Sequence, residues 1–195
     1  AILRAGARAN LCLMSPMVAV VDEVRRARAI LQESMQALER EGLAFNRRPR
    51  VGIMIEVPSA AVCADQLAAE VDFFSIGTND LTQYALAADR TTSSVAGLVS
   101  ALQPAVLRLI RGVIESGHAA GIWVGMCGEM AGDETAIPIL LGLGLDEFSM
   151  TAPLIPAAKE IIRKWDTGQA KRLAEQALAC TSPLQVRQLV AGWRG

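Results

Sequence analysis

The sequence predicts an α/β protein built on a parallel sheet, with the rim chemistry of a (β/α)8 barrel. Three observations carry that expectation. Short apolar runs rich in β-formers alternate with longer segments of helical period. Three of the runs are almost continuously apolar, as strands buried on both faces are. Polar residues (Glu56, Asn79, Asp80, Cys127 and Thr151) fall at or just past the C-terminal ends of different runs. A barrel assembles its site from several strand ends in this way, whereas an open doubly wound sheet concentrates it at one switch point.

The first run, 10–14 (NLCLM), leads to a helical pattern over 20–41, where Val21, Val24, Leu31, Met35 and Leu38 mark one apolar face. The second, 51–56 (VGIMIE), precedes a helix over 60–69, and the third, 72–77 (DFFSIG), a helix over 81–88. A polar loop at 91–94 (TTSS) follows. The next helix, 104–119, opens on Pro104, whose missing N–H costs nothing in a first turn. The fourth run, 122–127 (IWVGMC), passes Asp133 as a helix entry into 135–143, and the fifth is 146–150 (DEFSM). Helices over 156–164, 168–180 and 183–193 close the chain, with Trp165 and Trp193 expected to serve packing. Five βα units are visible, and a whole barrel takes about 250 residues. Residues 1–195 are therefore expected to be the C-terminal portion of a barrel domain truncated at its N-terminus, with about five of eight units and C-terminal helices from about 155.

Composition excludes several classes. The chain carries 19 Lys+Arg against 20 Asp+Glu, with 52% hydrophobic and 20% charged residues. Such a chain can bury a core, so disorder is excluded as the main state. A net charge of −1 lacks the basic surplus of a nucleic-acid binder. No apolar run approaches the roughly 18 residues of a membrane span. The four cysteines (Cys12, Cys63, Cys127 and Cys180) are widely scattered, with no CxxC pattern and with His118 the sole histidine. That argues against a zinc site and for free thiols in a reducing cytoplasm, most of them buried as small apolar residues.

Three stretches carry chemistry. In 76–90 (IGTNDLTQYALAADR) a strand ends and Asn79 and Asp80 open a helix, whose N-terminus is suited to an anion. A helix cap would account for one of the two, but not for both together with Arg90. Glu56 ends an otherwise apolar strand, where an ionised carboxylate needs a partner, a metal or a cleft. Glu56 and Asp80 on neighbouring strand ends would suit one hard divalent cation such as Mg2+, which takes one or two carboxylates beside water and substrate oxygens. In 123–133 (WVGMCGEMAGD) Cys127 is expected at the rim with Glu129 close by. His118 ends the preceding helix, where interaction with terminal carbonyls is expected, so a Cys–His hydrolase is disfavoured. An isolated thiol acting as proton donor or acceptor fits better, beside the alternative of a buried structural cysteine.

GIMIEVPSAA, VDFFSIGTNDLTQYALAADR, GMCGEMAGDE and LGLGLDEFSM, in this order, resemble the phosphoenolpyruvate-binding domain of enzyme I, the phosphoenolpyruvate–protein phosphotransferases of bacterial sugar or nitrogen-regulatory systems. The resemblance runs from about Leu11 to Leu178. Pyruvate phosphate dikinase and phosphoenolpyruvate synthase look similar around GTNDLTQ, and a non-catalytic dimerisation or regulatory module is a further alternative. The resemblance implies a barrel that binds phosphoenolpyruvate and Mg2+, forms a homodimer, and passes the phosphoryl group to a histidine on a separate domain and then to HPr. By position it implies Glu56 and Asp80 as Mg2+ ligands, Asn79 with the Asp80 backbone on the phosphate, Arg90 as neutralising cation and Cys127 as proton donor to the enolate carbon. Thr91-Thr92 depart from the usual Gly-Asn, Val99-Ser100-Ala101 from Tyr-x-Pro, and Ser15 from an aromatic.

Overall fold

Five parallel strands lie in chain order: β1 (Cys12–Ser15), β2 (Arg50–Ile55), β3 (Phe73–Gly77), β4 (Trp123–Cys127) and β5 (Glu147–Phe148). The computed structural model describes residues 1–89 and 99–193, so Arg90 and the polar loop at 91–94 lie outside the described residues. Each strand pairs with the next in sequence, and the order never reverses. An open doubly wound sheet must reverse at its switch point, whereas successive barrel strands follow this order. The sheet is therefore an arc of five consecutive βα units of barrel type.

The two faces of the sheet differ as the alternation of side chains requires. Ile53, Ile55, Phe74, Ile76, Val124 and Met126 point outward and are fully buried against the helices. Those helices include α3 (Pro58–Val62), α4 (Ala64–Ala68) and α6 (Pro104–Ala119), the last contributing Val106, Leu107, Ile110, Val113 and Ile114. The inward face is layered. Phe73 and Trp123 are direct ladder partners whose rings stack 4.6 Å apart and 3° from parallel. Met54, Ser75, Gly125 and Glu147 form the layer above, and Gly77 and Cys127 the layer at the C-terminal rim.

An aspartate clips the sheet at two strand starts. Asp72 Oδ2 accepts the Val51 N–H at 2.7 Å, and Asp146 Oδ2 accepts the Val124 N–H at 2.8 Å. His118, at the end of α6, was expected to meet terminal carbonyls; its Nε2 instead lies 2.8 Å from Asp146 Oδ2. The carboxylate is the better partner for a ring N–H because it carries charge.

Other elements depart from expectation in detail. A four-residue helix, α1 (Ile2–Ala5), precedes β1. The helix expected over 60–69 breaks at Cys63 into α3 and α4, which lets Ala60, Ala61, Ala64, Leu67 and Ala68 all reach the core. β5 is two residues long rather than five. The cysteines are free as expected, but Cys12 is exposed and the other three are half-buried, so burial is not their common role. After α2 (Val21–Arg40), α5 (Thr78–Leu86) and α7 (Ala136–Leu143), the chain ends in α8 (Ile155–Lys164), α9 (Thr167–Ala179) and α10 (Pro183–Ala191). Trp165 and Trp193 pack together there, with ring centroids 6.1 Å apart. Among the described residues no helix is long and apolar enough to cross a membrane.

Candidate active site

Glu56 follows β2 directly and is only 3% exposed. Its Oε1 accepts the Met17 N–H at 2.7 Å. Met17 adopts a left-handed backbone, φ 55°, which is unfavourable for a side-chain-bearing residue and aims this amide at the carboxylate. On the other side Gly77 leaves the room Glu56 occupies: a Cβ there would stand 2.7 Å from Glu56 Oε2 and 2.9 Å from its Cβ.

Asp80 lies in the first turn of α5, which begins at Thr78, so Asn79 and Asp80 are inside the helix rather than ahead of it. The Asp80 carboxyl is near enough to act on Glu56 through its charge and a side-chain hydrogen bond. Burial pushes the Glu56 carboxyl above its ordinary value; the Met17 bond opposes this, and the adjacent Asp80 charge and hydrogen bond add to it. A buried carboxyl with a second carboxyl beside it is an arrangement that a divalent cation relieves, and an all-oxygen pair suits a hard ion. Among the described residues no group of three or more His, Cys, Asp or Glu side chains that could hold a metal ion occurs.

Asn79 is fixed by its neighbour across the rim. Its Oδ1 accepts the Glu129 N–H at 3.3 Å. A backbone N–H only donates, so the amide oxygen is the group used there, and Nδ2 is by its chemistry a donor, the polarity a phosphate oxygen requires. Thr78 Oγ1 donates to the Cys127 carbonyl at 3.2 Å, a second stitch between α5 and β4. Between them stands Gly128 with φ 98°, where a Cβ would approach Thr78 Oγ1 to 2.5 Å.

Cys127 ends β4 on the inward face, opposite Gly77. Its Sγ receives a hydrogen bond from Ser75 Oγ at 3.5 Å and donates to the Ile76 carbonyl at 3.7 Å. His118 cannot serve this thiol, because it pairs with Asp146 at the opposite, N-terminal end of the strands. The structure thus brings Glu56 to Asp80, and sets Cys127 and Asn79 on the same rim through Gly77, Thr78 and Glu129. Arg90 lies outside the described residues. Sequence reasoning did not single out Ser75, Thr78 or the Met17 amide. Ser75 shares the inward face of β3 with Gly77, which faces Cys127 across the ladder, a placement that only the strand register reveals.

Comparison with known proteins places the chain in a family. A family profile described as "PEP-utilising enzyme, PEP-binding domain" matches residues 1–167. A phosphoenolpyruvate-protein phosphotransferase of Enterococcus faecalis is 51% identical over 191 residues, 97% of this chain and 33% of that protein. Proteins of the same name from Staphylococcus carnosus and Geobacillus stearothermophilus are 52% and 53% identical over 190 residues, again 97% of this chain and 33% of each. The chain therefore spans about a third of the length of these relatives. A crystal structure of a citrate lyase from Burkholderia xenovorans superposes with TM-score 0.60 at 18% identity, covering 97% of this chain and 64% of that one, a likeness of fold alone. With its profile match running from the first residue past the last strand, the chain belongs to the phosphoenolpyruvate-binding domain family of the PEP-utilising enzymes.

Proposed function

We propose that this chain is the phosphoenolpyruvate-binding part of a Mg2+-dependent phosphoenolpyruvate–protein phosphotransferase. In the intact protein the phosphoryl group would pass to a histidine on a separate domain and then to an HPr-type carrier, with release of pyruvate. The observation that carries the reading is the Glu56–Asp80 carboxyl pair on the same rim as Asn79 and Cys127. The family membership and the names of relatives half identical to the chain support it.

Each residue has a part in this reading. Glu56 and Asp80 hold Mg2+, which when bound supplies positive charge against the phosphate oxygens. Asn79 donates from Nδ2 to a phosphate oxygen, and its place in the first turn of α5 adds the positive end of the helix dipole. Arg90 adds a cation to the phosphate, as the resemblance implies. When the phosphoryl group leaves, Cys127 gives its Sγ proton to the enolate carbon and pyruvate forms. The intact protein works as a cytoplasmic homodimer in this reading, and four free thiols suit a reducing compartment.

The test is a chimera in which this chain replaces the matching third of the Enterococcus faecalis relative. Phosphoenolpyruvate- and Mg2+-dependent phosphorylation of HPr with pyruvate release is expected, and the 195-residue chain alone should not phosphorylate HPr. A well-folded chimera that makes no pyruvate would overturn the reading.

A further inference from the structure

Ser75 is the single hydroxyl on the inward face of β3, between Phe73 below and Gly77 above. Its ladder partner on β4 is Gly125, which has no side chain to intervene, so the hydroxyl reaches diagonally to Cys127 Sγ at 3.5 Å. The direction of the bond follows from the second contact of the sulfur. The Ile76 carbonyl, 3.7 Å away, can only accept, so the thiol proton points there and the Ser75 O–H donates to sulfur. Two contacts from one strand thus fix the position of the thiol on the next.

We propose that Ser75 is a positioning residue for the Cys127 thiol, holding its sulfur toward the inward face and stabilising the thiolate left after proton transfer. This inference rests on the reading of Cys127 as proton donor. In that step the S–H bond breaks with its electron pair left on sulfur. The C=C pair of the enolate forms the new C–H bond, and the enolate C–O becomes a carbonyl. A negative sulfur is the product on the protein side, and a hydrogen bond to an ionised acceptor is stronger than one to its neutral form. Ser75 is the side-chain donor seen on that sulfur among the described residues.

The test is residue-resolved alkylation of the 195-residue chain by iodoacetamide at one fixed pH, with exposed Cys12 as internal standard. Ser75→Ala should slow alkylation of Cys127 about threefold, because the attacking thiolate loses a hydrogen bond, an effect partly offset by the greater nucleophilicity of the unbonded sulfur. Ser75→Thr, which keeps the hydroxyl, should restore the wild-type rate. An unchanged or faster rate in Ser75→Ala, or equal slowing in both variants, overturns the proposal. A second measurement needs no Ser75 variant. The Raman difference spectrum of the wild-type chain minus Cys127→Ala isolates one S–H band, expected below the frequency of an unbonded thiol because the S–H donates to the Ile76 carbonyl; an unshifted band removes the ground on which Ser75 is assigned as donor to the sulfur, and overturns the proposal even if Ser75→Ala does not fold. Pyruvate formation by a Cys127→Ala chimera tests the donor reading separately. Normal turnover there would remove the donor role, whereas the alkylation result reports only the Ser75–Cys127 contact.

Discussion

The Glu56 and Asp80 carboxyls meet at the rim although they come from different βα units, with Glu56 buried and held from behind by the Met17 amide. The arrangement is unfavourable without a cation, because both burial and the neighbouring charge work against ionisation of Glu56. In the window between its ordinary value and its raised one, the folded chain binds more protons than the unfolded chain. Stability should therefore fall as pH rises through that window. Glu56→Gln keeps an oxygen for the Met17 N–H and removes one charge. Without Mg2+ at neutral pH it should be more stable than wild type by about 1 kcal/mol, or about 2–4 °C in Tm. Mg2+ should raise the Tm of wild type and leave that of Glu56→Gln unchanged, as scanning calorimetry would read.

Gly77 is required by that carboxylate and not by its own backbone. Gly77→Ala would put a methyl 2.7 Å from Glu56 Oε2, so the side chain must leave its place beside Asp80. Mg2+ or Mn2+ affinity should fall about 10- to 100-fold, as when the supporting contacts of a metal site are lost. Titration calorimetry of both variants checks this; equal affinity would show that Glu56 is not a ligand.

Gly128→Ala meets two obstacles at once, a φ of 98° and an approach of 2.5 Å to Thr78 Oγ1. Strain of about 1–3 kcal/mol is expected from the backbone alone. The methyl also pushes on Asn79 Oδ1, 3.2 Å away, and so disturbs the stitch to Glu129. The variant should lose stability in urea and should bind phosphoenolpyruvate at least tenfold more weakly, whereas a change in stability alone would confine Gly128 to packing.

What the sequence disclosed and what it hid follow from the range of the interactions. The middles of β2, β3 and β4 were legible because their outward residues are obligately apolar. Glu56, Asp80 and Cys127 were legible because charge or reactivity at the end of an apolar run demands a reason. The break at Cys63 was not, since PSAAVCADQLAA carries no Gly or internal Pro to mark it. Ser75 was passed over because one hydroxyl in a strand has no local signature. The Met17 contact belongs to a backbone amide, and no residue type encodes where an amide points. His118 found a carboxylate 28 positions away that helix-end rules cannot foresee.

Asp146 and His118 allow that last pairing to be weighed. Asp146→Ala strands the Val124 N–H at the start of β4 and leaves His118 without its carboxylate. A loss of about 1–3 kcal/mol is expected, the cost of a buried donor left unmade. His118→Ala leaves the Asp146–Val124 bond in place and removes only a contact whose two side chains are 42% and 40% exposed. It should cost about 1 kcal/mol or less. Urea denaturation of the two variants orders them, and equal losses would make the imidazole, not the amide, the main partner of Asp146.

The outer edge of β1 predicts how the 195-residue chain behaves in solution. Among the described residues β1 has one neighbour, β2, so its far side presents unpaired backbone groups. Beside it runs an apolar groove lined by Ile2, Leu13, Met14, Ile30, Leu31 and Leu38. Ile2, Met14 and Ile30 are 58%, 42% and 57% exposed. A free edge next to exposed aliphatic surface is a template for strand pairing between chains. Sedimentation velocity at rising concentration should show self-association, and Met14→Lys with Ile30→Lys should suppress it without lowering Tm, since neither side chain is in the core. A wild-type chain that stays monomeric and monodisperse across that range would mean the β1 edge is protected by contacts other than those described.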